Sequence, residues 1–306
     1  MSDVGAAAAA LAQHRAKLHG IAWMLVTGLL FVAVTGIVRH LGSDMEAIQA
    51  AFIRYAFGLI MISPVLFRMR QGSFTFASLR LHAARGLVHG VAVMLWFYAM
   101  ARIPIAQVTA IGFTAPIFIS LGAALFLGER LQARRIGAIL IGFGGNLVIL
   151  RPGLQEIQLG ALAQLTAAPL FAVSYLIAKK LTGTETSSSI VAFLSIFVTL
   201  ILLPPALMVW RTPTLEELFW LAMTALCATL GHYTMTRAMQ AAPLTVIQPF
   251  SFLQLVWATL LGLYAFGEAP DFWTWVGAGI IVSSATYIAH RETVRRGRAD
   301  LKPGPY

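Results

Sequence analysis

Apolar runs of about twenty residues, separated by short clusters of charge, proline or glycine, fill most of the chain. A helix of about 20 residues crosses the hydrocarbon core of a bilayer, so each run has the length of a membrane span. Bounded by charges and helix breakers, the runs predict ten spans, at about 19–39, 47–68, 81–101, 104–127, 132–150, 159–178, 188–210, 215–236, 243–267 and 271–290. The flanking charges orient them. With both termini cytoplasmic, sixteen of the 22 Lys and Arg fall on inner segments and only Arg39, Arg102, Arg151 and Arg211 on outer ones. The count uses every Lys and Arg except Arg54 and Arg85, which lie deeper within spans. The positive-inside rule explains such a bias, and an odd span count would scramble it. Residues 1–18 then read as a cytoplasmic tail, 151–158 as a linker on the outer side and 291–306 as a basic cytoplasmic tail.

Composition leaves no room for a soluble domain. Hydrophobic residues make up 58% of the chain and charged ones 11%, with mean hydropathy +0.79, whereas soluble domains run about 25% charged. The net charge of +10 does not point to nucleic acid, because the basic residues sit at the ends of apolar runs and form no patch on a soluble face. The single cysteine, Cys227, excludes an intrachain disulfide and a cysteine-based metal site, and no cofactor is expected.

Sliding the chain against itself exposes a repeat. At an offset of 140, Gly20 falls on Gly160, Leu30 and Phe31 on Leu170 and Phe171, Arg39 on Lys179, and Pro64 on Pro204. At 139, Pro104 falls on Pro243 and Gly128-Glu129 on Gly267-Glu268. The units are 19–150 and 159–290. Five spans is an odd number, so the second unit enters the membrane from the opposite side, as in secondary transporters whose halves exchange roles around a midplane site.

Two stretches carry a family resemblance: PIAQVTAIGFTAPIFISLGAALFLGE from Pro104 to Glu129, and PLTVIQPFSFLQLVWATLLGLYAFGE from Pro243 to Glu268. In these the chain resembles the drug/metabolite transporter superfamily, in its ten-helix form built from two EamA-type repeats. Within that superfamily it is most similar to YddG-type bacterial exporters of aromatic and other neutral amino acids. The resemblance implies an all-α integral membrane fold of two inverted five-helix repeats around a central cavity lined by spans 1, 3, 4, 6, 8 and 9. It also implies alternating access to a small-molecule substrate, with efflux of another organic solute (a drug, nucleoside or nucleotide sugar) as the alternative. The membrane it implies is a bacterial inner membrane, which makes the linker at 151–158 periplasmic.

All twelve acidic residues fall in loops, tails or span ends by this assignment. A proton carrier in a membrane is commonly Asp, Glu or His, so transport is either facilitative or uses His89, eight residues into span 3. His89 otherwise serves as a hydrogen-bonding ring between packed helices. Arg54, below the outer surface, is read as pairing with Asp44 or Glu46, or as holding a substrate carboxylate. Ser251 and Gln254 form the best polar pair in span 9, on a slanted ridge that continues to Trp257. Trp96, Tyr98, Phe113, Tyr175, Tyr233 and Trp257 lie at midplane depth, where aromatic rings can wall a pocket. Pro116 and Pro249 are candidate hinges, since a proline removes one rung of the helical ladder. Spans 5 and 10 are rich in Gly and Ser and suit close helix packing, including a homodimer contact. An intramembrane enzyme is disfavoured: the chain has no HExxH, no GxSxG and no pair of membrane aspartates.

Overall fold

The computed structural model describes residues 2–68, 76–115, 117–119, 133–151, 158–242 and 244–300. All regular structure among them is helical: α1 (Ser2–Leu41), α2 (Ala47–Arg68), α3 (Phe76–Met100), α4 (Ile105–Gly112), α5 (Ala133–Leu150), α6 (Leu159–Leu181), α7 (Ser187–Met208), α8 (Leu215–Ala241), α9 (Leu244–Ser251), α10 (Leu253–Phe266) and α11 (Phe272–Asp300). Six of these helices are long and apolar enough to cross a membrane, and shorter apolar helices occupy the other four predicted spans. The ninth span is two helices, α9 and α10, broken at Phe252. The segments at 2–18 and 291–300, expected as tails, continue α1 and α11 as helix.

Local chemistry sets several helix ends. Thr214 and Glu217 form a reciprocal capping box at the start of α8, and the Thr186 hydroxyl accepts the Ser189 amide at the start of α7. Gly267 closes α10 at φ +66°, a left-handed position that glycine reaches without a Cβ clash. The turn throws Glu268 back towards the N-terminus of α4, where its carboxylate accepts the Ile105 amide at 2.9 Å and pairs with Arg39 of α1 at 2.5 Å. A carboxylate there meets the unpaired amides and positive end of the helix dipole. Spans 1, 4 and 9 are thereby tied at one end of the bundle.

Helix packing is unchanged when the halves are exchanged. α1 packs on α8, and its equivalent α6 packs on α3; α2 packs on its own equivalent α7, and α5 on α11. The α5–α11 contact is close because it is made by glycine: a Cβ on Gly277 would lie 2.6 Å from the Gly145 carbonyl oxygen, and one on Gly142 would meet Ile117 and Ser284. The small residues read as a dimer stripe are thus partly used within the chain, while Gly137, Gly144 and Gly279 face open space.

Candidate functional site

Span 4 loses its regularity at Phe113 and Thr114, just before position 116: the Phe113 amide is shared between the Thr109 and Ala110 carbonyls, and the Thr114 amide reaches only Ile111, three residues back. Pro116 itself lies outside the described residues, and so does the side chain of Pro249. In span 9 the break comes at Phe252, the position that an offset of 139 makes equivalent to Phe113. The two rings meet edge to face with centroids 5.0 Å apart. Two broken helices therefore touch at their breaks, the arrangement that places a transporter's site near the midplane.

A cavity of about 150 Å³ opens beside this contact. Spans 1, 3, 4, 6, 8 and 9 line it, and α2 adds Arg54. Five rings close a circuit in its wall. Phe31 contacts Trp96 (6.3 Å), Trp96 contacts Phe171 (5.9 Å), Phe171 contacts His89 (5.2 Å), His89 contacts His232 (5.1 Å), and His232 returns to Phe31 (5.2 Å). All five contacts are edge-on, the geometry that the ring quadrupole favours. Tyr175 stacks on Phe171 at 5.9 Å and extends the wall.

The polar atoms divide into satisfied and unsatisfied. Thr35 and Thr109 donate to their own helices, and the hydroxyls of Thr27 and Thr234 meet at 2.8 Å across α1 and α8. His89 uses Nδ1 against the Ser174 hydroxyl at 2.9 Å. Its Nε2 has no partner, nor do His232 Nδ1 and Gln164 Oε1, and all three residues line the cavity. A buried polar atom left unpaired costs about 1–3 kcal/mol, which a ligand can recover. Among the described residues the lining holds no carboxylate.

The structure gathers His89, Trp96, Phe113, Tyr175, Ser251, Gln254 and Arg54 at this cavity. Three expected residues stay away from it. The Tyr98 ring carries the Arg102 guanidinium at 3.8 Å, and Tyr233 packs with Ile62, Val191 and Ala192 between α2 and α7. Trp257 is 41% exposed. Within α10 a step of three residues turns the helix about 60° back, which carries Trp257 round from the cavity-lining Gln254 towards the outer face. Arg54 makes no ion pair with Asp44 or Glu46; its guanidinium lies over the Tyr55 ring at 3.8 Å. Asp44 instead offers its backbone carbonyl to Arg211 at 3.1 Å.

Sequence reasoning missed Phe31, Phe171, Gln164 and His232. Phe31 and Phe171 are matched by the repeat itself at offset 140. His232 was hidden by ending span 8 at 236: α8 runs to Ala241, which moves His232 about 14 Å in from the helix end.

Both halves of the chain match the EamA-like transporter family, over residues 18–151 and 158–289. A riboflavin transporter of Rhizobium johnstonii is 33% identical over 97% of this chain and 99% of its own length. One of Vibrio cholerae is 30% identical over 92% and 96%. An S-adenosylmethionine uptake transporter of Rickettsia bellii is 27% identical over 89% and 94%. A solved crystal structure with 19% identity superposes with a TM-score of 0.60 over 90% of this chain and 97% of that one, a likeness of fold. The expectation of aromatic amino-acid export finds no support in these relatives, whose names give other substrates.

Proposed function

The chain belongs to the EamA-like transporter family, and from that premise we propose that it moves a neutral, flat heteroaromatic solute of the flavin kind across a bacterial inner membrane. The observation that carries this reading is the ring circuit with its three unpaired atoms, His89 Nε2, His232 Nδ1 and Gln164 Oε1. Aromatic walls suit a planar solute, and isolated polar groups fix its orientation. An isoalloxazine ring system offers both a large flat face and an edge of alternating donors and acceptors.

Charge separates the two substrates named among the relatives. S-adenosylmethionine is a net cation: Arg54 can meet its carboxylate, but its ammonium and sulfonium find no carboxylate among the described lining residues. In a medium of low dielectric two like charges repel strongly, so the neutral flavin ranks first. No carboxylate among the described lining residues can carry a proton, which leaves His89 and His232 as the titratable groups there; our reading is facilitative transport, its direction set by the solute gradient, and a riboflavin flux driven by an imposed pH gradient would replace it with histidine-coupled transport. Both termini face the cytoplasm in this reading, as the flanking Lys and Arg direct.

Purified protein in liposomes tests the proposal. Saturable riboflavin entry above empty vesicles, poorly inhibited by tryptophan or S-adenosylmethionine, is the expected result. No saturable riboflavin entry ends the flavin reading, and saturable S-adenosylmethionine entry in its place reverses the ranking.

A further inference from the structure

Behind one wall of the cavity lies an electrostatic imbalance that the flavin reading leaves unexplained. Arg85 is 0% exposed and about 14 Å in from the start of α3. Its Nη1 donates to the Ile190 carbonyl at 3.1 Å, while Nε and Nη2 have no partner. Tyr55, on α2, is 1% exposed, and its hydroxyl, beside the Arg54 guanidinium, makes no hydrogen bond of good geometry. Arg54, 4% exposed, lies over the Tyr55 ring at 3.8 Å and reaches the cavity surface. Tyr55 lies within electrostatic reach of both guanidiniums, and so do His89 and His232.

No carboxylate among the described residues balances these two charges. The ion pairs there are Arg39–Glu268, His82–Glu185, Arg151–Asp271 and Arg211–Glu217. Glu185, in the turn between α6 and α7, is held by His82 at 2.8 Å and by the Ser78 hydroxyl. Buried charges are retained where they are paired or used. A guanidinium with a free Nε–H and Nη–H edge is a fork shaped for an oxyanion.

We propose that Arg54, Arg85 and Tyr55 form an anion subsite in the α2–α3 wall of the cavity, which takes one anionic group, either borne by the solute or drawn from solution. The solute-borne arm rests on the flavin ring of that reading but replaces its neutral form by a phosphorylated one; the solution arm rests on neither.

The experiment uses the purified full chain in gluconate buffer, whose anion is too bulky for the subsite. Thermal unfolding is followed as chloride or phosphate is added, and riboflavin and riboflavin phosphate are titrated by fluorescence. An inorganic anion is expected to raise Tm by about 2 °C or more. Riboflavin phosphate binding about tenfold tighter than riboflavin identifies a solute-borne anion, and riboflavin binding strengthened about fivefold by chloride or phosphate identifies a free one. Arg54→Gln and Arg85→Gln remove these effects. Arg85→Gln deletes an unbalanced charge, so in gluconate its own Tm is expected to hold or rise; should it fail to fold, Arg85→Lys, which lacks the fork, shows a reduced anion shift. Absence of every anion effect in the parent protein, or its persistence in both Gln variants, overturns the subsite. If neither flavin binds, the solute proposal fails while the thermal shift still decides the subsite.

Discussion

At the scale of single residues, the cavity is defined by atoms that lack partners. Gln164 is 2% exposed and its Oε1 meets nothing, so the folded chain gains no hydrogen bond from it. Replacing it with leucine removes a buried unpaired acceptor. Tm of Gln164→Leu is therefore expected to stay level or rise, whereas solute affinity falls about tenfold, the loss of about 1–1.5 kcal/mol for one hydrogen bond. Thermal unfolding and a binding titration on the same sample separate these effects; a residue serving only packing would lower Tm and leave affinity alone. The same distinction explains how much of the site could be read in advance. His89 was legible because a polar ring eight residues inside an apolar run has few satisfactory neighbours. Gln164 was not, because at five residues from a predicted span end it looks like an interfacial side chain that can reach water. Tyr98 and Tyr233 show the opposite error: depth along a helix is written in the sequence, but rotation about the axis depends on which neighbours the helix packs against.

Helices and their junctions show what proline and glycine do here. The ten spans were legible from run length, and their ends were less so, because α1, α8 and α11 extend beyond the apolar stretch into polar turns that keep helical geometry. The α5–α11 contact allows a sharp comparison between two glycines of one helix. At Gly277 an added methyl collides with the Gly145 carbonyl oxygen at 2.6 Å and Ile149 at 2.5 Å; at Gly279 nothing lies within 4 Å. Gly277→Ala is expected to cost about 1–3 kcal/mol by overpacking, while Gly279→Ala gains up to about 1 kcal/mol in helix propensity. Opposite shifts of Tm for two changes two residues apart would establish the contact; equal shifts would exclude it. At the start of α11, Asp271 accepts the Thr274 amide at 2.9 Å and pairs with Arg151 at 2.5 Å. Partial desolvation pushes its carboxyl up, but the Thr274 hydrogen bonds and the Arg151 charge outweigh this and hold it below the usual carboxylate range. A depressed value means that the cap contributes fully above the ordinary carboxylate range, and that this contribution disappears as pH falls through the lowered value. The Tm difference between the parent protein and Asp271→Asn should therefore shrink on acidification below about pH 4. A difference that stays constant through that window would remove the charge from the account.

For the whole molecule, the repeat in sequence and the units in space do not coincide. Each half of the chain is five consecutive helices, yet α1 packs most closely on α8 and α3 on α6, so each tight pair takes one helix from either half. The cavity lies between these two pairs, and the broken spans cross beside it, meeting at Phe113 and Phe252. For the proposed transport to proceed by alternating access, α1–α8 would move against α3–α6, with the breaks in spans 4 and 9 as the points where direction changes. Rocking of the sequence halves would instead tear the α1–α8 contact apart. Cross-linking distinguishes the two motions, since Cys227 is the only native cysteine and Cys227→Ala gives a clean background. In that background a disulfide between Thr27→Cys and Thr234→Cys, whose native hydroxyls are 2.8 Å apart, joins helices of one moving unit. Transport is expected to survive it. A short bifunctional thiol reagent joining Phe113→Cys to Phe252→Cys spans the two breaks and is expected to reduce transport at least about tenfold, with recovery once a cleavable linker is reduced. Arrest by the Thr27–Thr234 bridge would mean that α1 and α8 separate during the cycle, and the halves as written in the sequence would then be the moving bodies.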